Sequence, residues 1–190
     1  MAARSGMSEL ISRFRYGVND SGTAYFQDDR IQQILDSHRT DFYQEPLVVS
    51  SQQIALGTVV YTVYTSNYRN IEGTASGTAV FRLYDSSGSV IASGYTFDAI
   101  NGRFDFTTDQ AGSARYLNGR TYDLNGAIAD GWRELAGIQS GAYDFRVEGR
   151  QYTRSQWFDH CMKMAEMWES KSTGSGAWGS TGTIERSDWC

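Results

Sequence analysis

The sequence predicts an α+β fold: a four-helix domain interrupted by an antiparallel β insertion and followed by an extended C-terminal tail. Three observations predict it. Apolar residues recur with a helical period near both ends of the chain. Between Tyr43 and Arg120 the period falls to two, and β-branched and aromatic residues dominate. After Lys171 the chain turns Ser/Thr/Gly-rich and loses any period. Residues 1–42 and 121–171 are therefore read as the helical domain, 43–120 as the inserted β domain and 172–190 as a flexible docking tail.

The first helix is placed after Ser8, read as its cap, with Leu10, Ile11 and Phe14 on one stripe. Gly17 to Thr23, with Asn19, Asp20, Ser21 and Gly22, reads as a loop. A second helix is expected from Asp28, a good N-cap, with Asp29 favourably placed in the first turn. Its buried face is Ile31, Ile34 and Leu35, with His38 continuing the stripe.

Pro46, the only proline, marks the start of the strands. Leu47 to Val49, Thr58 to Thr65 and Thr78 to Tyr84 read as strands. Asp85-Ser86-Ser87-Gly88 turns the chain into Val90 and Ile91. Tyr95 and Phe97 alternate, as do Phe104 and Phe106, with Asn101-Gly102 between them. That dipeptide is the strongest short-range signal for a hairpin, because both central positions of a type I′ turn need positive φ. A last strand is expected over Ala114 to Leu117, ending at Asn118-Gly119.

The helical period then returns. Leu124, Ile128, Trp132 and Leu135 form a stripe, flanked by Ala127 and Ala136, with Asp123 as cap. Gly126, Gly131 and Gly137 each cost about 1 kcal/mol against Ala in a helix interior. They are read as points where another backbone comes close, and Gly141 as the helix end. The last helix opens on a capping box, Thr153 with Gln156, and a hydrophobic staple of Tyr152 on Trp157. Its stripe runs Trp157, Cys161, Met164, Ala165, Trp168. No single helix here is stable alone. The two end pairs are expected to cover each other.

Composition narrows the function. A chain of 190 residues, 40% hydrophobic and 14% aromatic, is long and apolar enough to bury a core rather than stay disordered. No run approaches the roughly 20 apolar residues of a membrane span. Met1 to Met7 has no signal-like apolar stretch, so assembly in the cytosol is expected. The net charge is -5, and Lys and Arg are scattered singly, which argues against a phosphate-gripping nucleic-acid binder.

No catalytic set stands out. His38 continues a helical stripe, and His160, beside Asp159, neighbours Cys161 on a helix, where successive side chains diverge by about 100°. Cys161 and Cys190 read as reduced thiols. There is no HExxH, CxxC, calcium-loop or P-loop motif; Gly73 to Gly77 lacks a following GKS or GKT. Asp98, Asp105 and Asp109 could bind calcium but read first as solvated strand or turn residues. Tyr61, Tyr64 and Tyr68 could stack on sugars but read first as sheet packing. Neither a metal nor a cofactor is expected. In the tail, Trp178, Ile184 and Trp189 are costly to leave in water, and tryptophan concentrates binding energy at interfaces.

Tyr122-Asp123-Leu124-Asn125-Gly126-Ala127-Ile128-Ala129-Asp130 resembles the Tyr-Asp-x-Asn-x-Ala-x-Ala-Asp stretch of tailed-phage head-to-tail adaptor (connector) proteins. Tyr143-Asp144-Phe145, then Gly149, Tyr152 and Arg154-Ser155-Gln156, resembles the linker before that family's closing helix. Leu10 to Arg15 and Phe26-Gln27-Asp28-Asp29 are similar to its opening helices, and Val80 to Asp85 with Gly94 to Phe106 to the β insertion of some members. The resemblance implies a non-enzymatic subunit of the virion neck, assembled in the host cytoplasm. Such subunits form a ring, typically a dodecamer, against the portal protein and extend the channel through which double-stranded DNA passes. They offer a platform to stopper or tail-terminator proteins, and C-terminal arms often reach the portal. A carbohydrate-binding β module and a stopper or tail-completion protein are the alternatives, and an enzyme of unseen type ranks last.

Overall fold

The computed structural model of the protein describes residues 3–53, 59–73, 81–140, 145–147, 150–152 and 155–172. A short 3₁₀ turn, Ser5–Met7, leads into α1 (Ser8–Val18) and α2 (Asp28–Ser37). Eight strands follow: β1 (Arg39–Pro46), β2 (Val48–Gln53), β3 (Val59–Thr65), β4 (Arg82–Tyr84), β5 (Val90–Ile91), β6 (Tyr95–Asp98), β7 (Arg103–Phe106) and β8 (Tyr116–Tyr122). The chain returns to helix in α3 (Leu124–Ser140), makes the hairpin β9 (Phe145–Val147) and β10 (Arg150–Tyr152), and closes with α4 (Ser155–Glu169). The fold is mixed α+β, with two four-stranded antiparallel sheets, ordered β1-β8-β4-β5 and β2-β3-β7-β6, plus the two-stranded hairpin.

The helices start and stop for local reasons. Ser8 and Asp28 are the first helical residues and not the caps expected of them; neither helix has a side-chain cap at its N-terminus. Asp28 instead takes the Arg15 guanidinium at 2.7 Å. The loop predicted from Gly17 begins later, because α1 runs to Val18 and ends in a Schellman motif. Asn19 is left-handed at φ 57°, its N–H donates to Tyr16, and the Asp20 N–H donates to Arg15. Asp20, buried, then fastens the loop: its carboxylate accepts the N–H groups of Ala24, Tyr25 and Phe26 and pairs with Arg15. Asp123 caps α3 as expected, accepting the Gly126 N–H at 3.1 Å. Thr153 and Gly141 lie outside the described residues.

The helices share one apolar cluster. Leu10, Phe14, Ile31, Ile34, Leu35, Ile128, Trp132, Leu135 and Cys161 are buried in it, and Leu124, Met164 and Trp168 pack against it partly exposed. α3 is its centre, touching α1, α2 and α4. Close approach is set by two glycines. A Cβ on Gly131 would meet the Phe14 ring at 2.6 Å, and one on Gly17 would meet Ile128 at 2.5 Å. The nearest neighbours at both positions are side chains, and not the backbone expected at Gly131. A Cβ on Gly137 would meet no atom of the described residues within 4 Å.

The inward faces of the two large sheets form a second cluster: Phe42, Leu47, Tyr64, Ile71, Leu83, Phe104, Phe106 and Leu117. Its ring network centres on Phe104, 4.5 Å from Phe97 and 5.5 Å from Tyr95 between centroids. Strand pairing starts at Arg39, ahead of the predicted boundary at Tyr43. The hairpin predicted over Gly94 to Thr108 forms as β6–β7, with Asp98 opposite Arg103. The turn is longer than a two-residue type I′: Ala99 to Gly102 connect the strands, and of Asn101 and Gly102 only Gly102 has positive φ. Asn118-Gly119 does not end a strand. Both lie inside β8, where Gly119 makes room for the Phe42 ring.

Candidate functional site

The described residues present a polar seam, an exposed apolar end and a groove. The seam lies where helices meet sheets. Arg4, from the extended start of the chain, donates to Asp36 of α2 (2.6 and 2.9 Å), to Glu72 after β3 (2.9 Å) and to the Tyr122 hydroxyl at the end of β8 (2.9 Å). Tyr122 in turn donates to Glu72 Oε2 at 2.7 Å. Glu72 and Tyr122 are buried. Desolvation, reinforced by the Glu72 carboxylate, pushes the Tyr122 phenol far above its ordinary pKa, so it stays a donor. Burial would raise the Asp36 carboxyl, but hydrogen bonds from Arg4 hold it below the usual range. Every charge in the seam has a partner, which is the condition under which buried charge is tolerable.

His38 does not continue the α2 stripe. It is the residue after the helix, and its Nε2 lies 2.7 Å from Asp130 of α3, which also accepts Arg133 at 2.8 Å. This ties α2 to α3. His160 is exposed and lies with its ring 5.9 Å from Trp132 and 5.4 Å from Trp157. Burial pushes the Cys161 thiol pKa up, which is the opposite of what a nucleophile needs.

The three aspartates considered for calcium are occupied locally. Asp98 accepts the N–H groups of Ile100 and Asn101, Asp105 pairs with Arg103, and Asp109 accepts the N–H groups of Tyr61 and Ala111. Among the described residues, no group of three or more His, Cys, Asp or Glu side chains is placed to hold a metal ion. Tyr61, Tyr64 and Tyr68 share no exposed face. Tyr64 is fully buried and donates to Ser113, and Tyr68 stacks on Phe42 at 4.4 Å.

α3 and α4 pack antiparallel: Asn125, at the start of α3, donates to the Lys171 carbonyl just past α4, and Arg133 pairs with Glu169. At the other end of this pair, large apolar side chains are partly exposed. Ile138 near the end of α3 is 56% exposed, and Trp157 and Phe158 in the first turn of α4 are 39% and 37% exposed. Trp157 is therefore not a core residue, although it falls on the core stripe. The stripe fixes the side of the helix that Trp157 occupies, and not how deeply it is buried.

Near the opposite end, Tyr16 and Gly17 of α1, Leu124 and Ile128 of α3 and Trp168 of α4 line a groove of about 470 Å³. Trp168 Nε1 is buried there without a hydrogen-bond partner among the described residues, and Lys171 Nζ sits 4.6 Å over its ring. Ser172, the last described residue, is hydrogen-bonded to Asp123 beside this groove. The tail residues Trp178, Ile184 and Trp189, and Cys190, lie outside the described residues.

The fold and these surfaces define an α+β chain with two apolar clusters joined by a partly buried ionic seam. Among the described residues, no helix is long and apolar enough to cross a membrane. Compared with models of protein families, with curated proteins and with solved structures, the chain finds no match.

Proposed function

We propose that this chain is a non-enzymatic head-to-tail adaptor of a tailed phage, a subunit that closes into a ring below the portal and carries the DNA channel onward to stopper or tail-terminator proteins. The observation that carries the reading is the set of exposed apolar side chains at one end of the α3–α4 pair. Ile138, Trp157 and Phe158 are large apolar groups, contributed by two adjacent elements, at one edge of a well-packed domain. Large apolar groups exposed at the same end of a helix pair support an interaction surface there, and tryptophan is enriched where interfaces hold their energy. A neighbouring copy in a ring is the occupant that fits a structural subunit, since each weak contact is multiplied by closure. Two helices before the strands and two after them, the last pair separated by the β9–β10 hairpin, support the family resemblance, and the chain enters its C-terminal tail from Ser172, which is bonded to Asp123.

Negative-stain electron microscopy of the purified chain, alone and with the cognate portal protein, tests the proposal. Rings, or rings decorating the portal, are the expected result; monomers alone, with bare portals, would refute it. Trp157→Ala together with Phe158→Ala is expected to lower the ring fraction at least tenfold while the circular dichroism spectrum is unchanged. Truncation after Ser172 is expected to weaken portal capture in a pull-down. The cut belongs there because the Ser172 hydroxyl contributes a bond to Asp123.

A further inference from the structure

The sheet ordered β1-β8-β4-β5 turns one face to the aromatic cluster and the other to solvent. Register decides which residues share the outer face. Leu83 and Leu117 sit opposite each other and are buried, so the neighbouring pairs, Tyr84 opposite Tyr116 and Arg82 opposite Asn118, point the other way. Tyr84 and Tyr116 thus stand side by side on adjacent strands, both half-exposed.

Two rigid walls rise beside them. One is the Asp85–Gly88 turn. Asp85 Oδ1 accepts the Ser87 N–H at 2.8 Å, the Ser89 N–H at 2.9 Å and the Ser87 hydroxyl at 2.6 Å, and Gly88 supplies the left-handed φ of 83°. The other wall is the β1 bulge between Phe42 and Glu45. There Gln44 takes a left-handed φ of 51°, and its N–H donates to Asn118 Oδ1 at 2.6 Å. The Asn118 amide nitrogen reaches back to the Tyr84 hydroxyl at 3.5 Å. Floor and walls enclose a groove of about 360 Å³, near the lower end of small-ligand sites.

The chemistry of this groove is selective. Among the described lining residues there is no lysine or arginine, and the Asp85 carboxylate stands on the rim, so phosphates and other anions are disfavoured. A purely apolar ligand would strand the amides of Gln44 and Asn118 and the serine hydroxyls. Two aromatic faces flanked by amides and hydroxyls suit a molecule with one apolar C–H face and a ring of hydroxyl groups. We propose that this groove binds neutral carbohydrate, one or two sugar rings stacking on Tyr84 and Tyr116 and exchanging hydrogen bonds with Asn118, Gln44 and the Ser86–Ser87 turn. It is independent of the adaptor reading. In a ring of copies, individually weak sites become a multivalent array.

The test is a ¹⁵N-resolved NMR titration of the full chain with maltotriose, chitotriose and a galactose disaccharide, each to about 10 mM, to cover the millimolar affinities of a small open site. At least one is expected to shift the amides of Tyr84 to Ser87 and Asn118 saturably. Tyr84→Ala should weaken that binding tenfold or more, whereas Tyr61→Ala, at a tyrosine outside the groove, should leave it unchanged. Ser86→Trp, at an exposed turn position, fills the groove without touching the cluster and should abolish binding, so the test survives if Tyr84→Ala misfolds. Two outcomes overturn the proposal: no saturable shift with any of the three sugars, or shifts undiminished in Ser86→Trp. A change of oligomer size in Tyr84→Ala, without sugar binding to the parent chain, would make the groove a subunit contact instead.

Discussion

The helical cluster and the strand cluster are closed by opposite means. Among the helices, atoms are packed into the absence of other atoms: Phe14 and Val18 lie over Gly131, Ile128 lies over Gly17, and the Trp132 indole N–H donates to the Gly17 carbonyl at 3.1 Å. Between the sheets, rings tile against rings, with Phe104 touching Phe81, Tyr95 and Phe97. The first arrangement should resist added atoms, and the second should resist lost ones. That asymmetry is open to direct attack.

The largest expected effect is in the strand cluster. Phe104→Ala removes a fully buried ring with aromatic neighbours on several sides and should cost about 3–5 kcal/mol by chemical denaturation. Next is the seam between the clusters. Arg4→Ala leaves Glu72 buried and Asp36 without its main partner; with Arg4 itself partly exposed, a loss of about 2–3 kcal/mol is expected. A loss below about 0.5 kcal/mol would mean that the seam does not couple the clusters.

Smaller, but more diagnostic, is a pair of alanines on α3. Gly131→Ala forces a methyl onto the Phe14 ring and should destabilise by about 1–3 kcal/mol, despite alanine's better helix propensity. Gly137→Ala adds a methyl that meets no described atom within 4 Å and should stabilise by up to about 1 kcal/mol. Equal signs for the two would break the comparison.

The smallest effects are those of pH. Asp36 and Asp130 titrate below the ordinary carboxylate range. Their contribution is present above the unfolded value of about 4 and is lost as pH falls through the folded value. Tyr122 titrates above the ordinary phenol range, so its contribution is complete below about pH 10 and is lost as pH rises beyond it. Thermal melts across pH should show both limbs, and Tyr122→Phe should flatten only the alkaline one.

Much of the helical part was legible because burial there follows a period. Leu10, Phe14, Ile31, Ile34, Leu35, Ile128, Trp132 and Leu135 could be placed from spacing, and they are buried. Trp157 escaped because a stripe says which side of a helix is apolar and nothing about how deeply each residue on it is buried. Asn118-Gly119 misled for a different reason: the glycine answers to the Phe42 ring on the neighbouring strand, and no turn is needed there. The β9–β10 hairpin was missed because its strands are only three residues each. Arg4, Asp36, Glu72 and Tyr122 meet across as many as 118 residues, and no local pattern announces them. The same holds for the tyrosines. Counting picked Tyr61, Tyr64 and Tyr68, but cross-strand register, which pairs Tyr84 with Tyr116, is a tertiary property.

The chain leaves the helices at His38 and returns at Asp123, and these points are adjacent: the Asp123 N–H donates to the His38 carbonyl at 3.0 Å, with Arg39 paired to Tyr122 beside them. Both strands of the passage are stitched together like the two sides of a zip. A protein engineer thus has one covalent port at which to graft a foreign module, provided the graft replaces the contacts of Glu72 and Ile100 with the helical part. The graft would arrive at a set angle, since two stitched strands resist swivelling in a way that one tether does not.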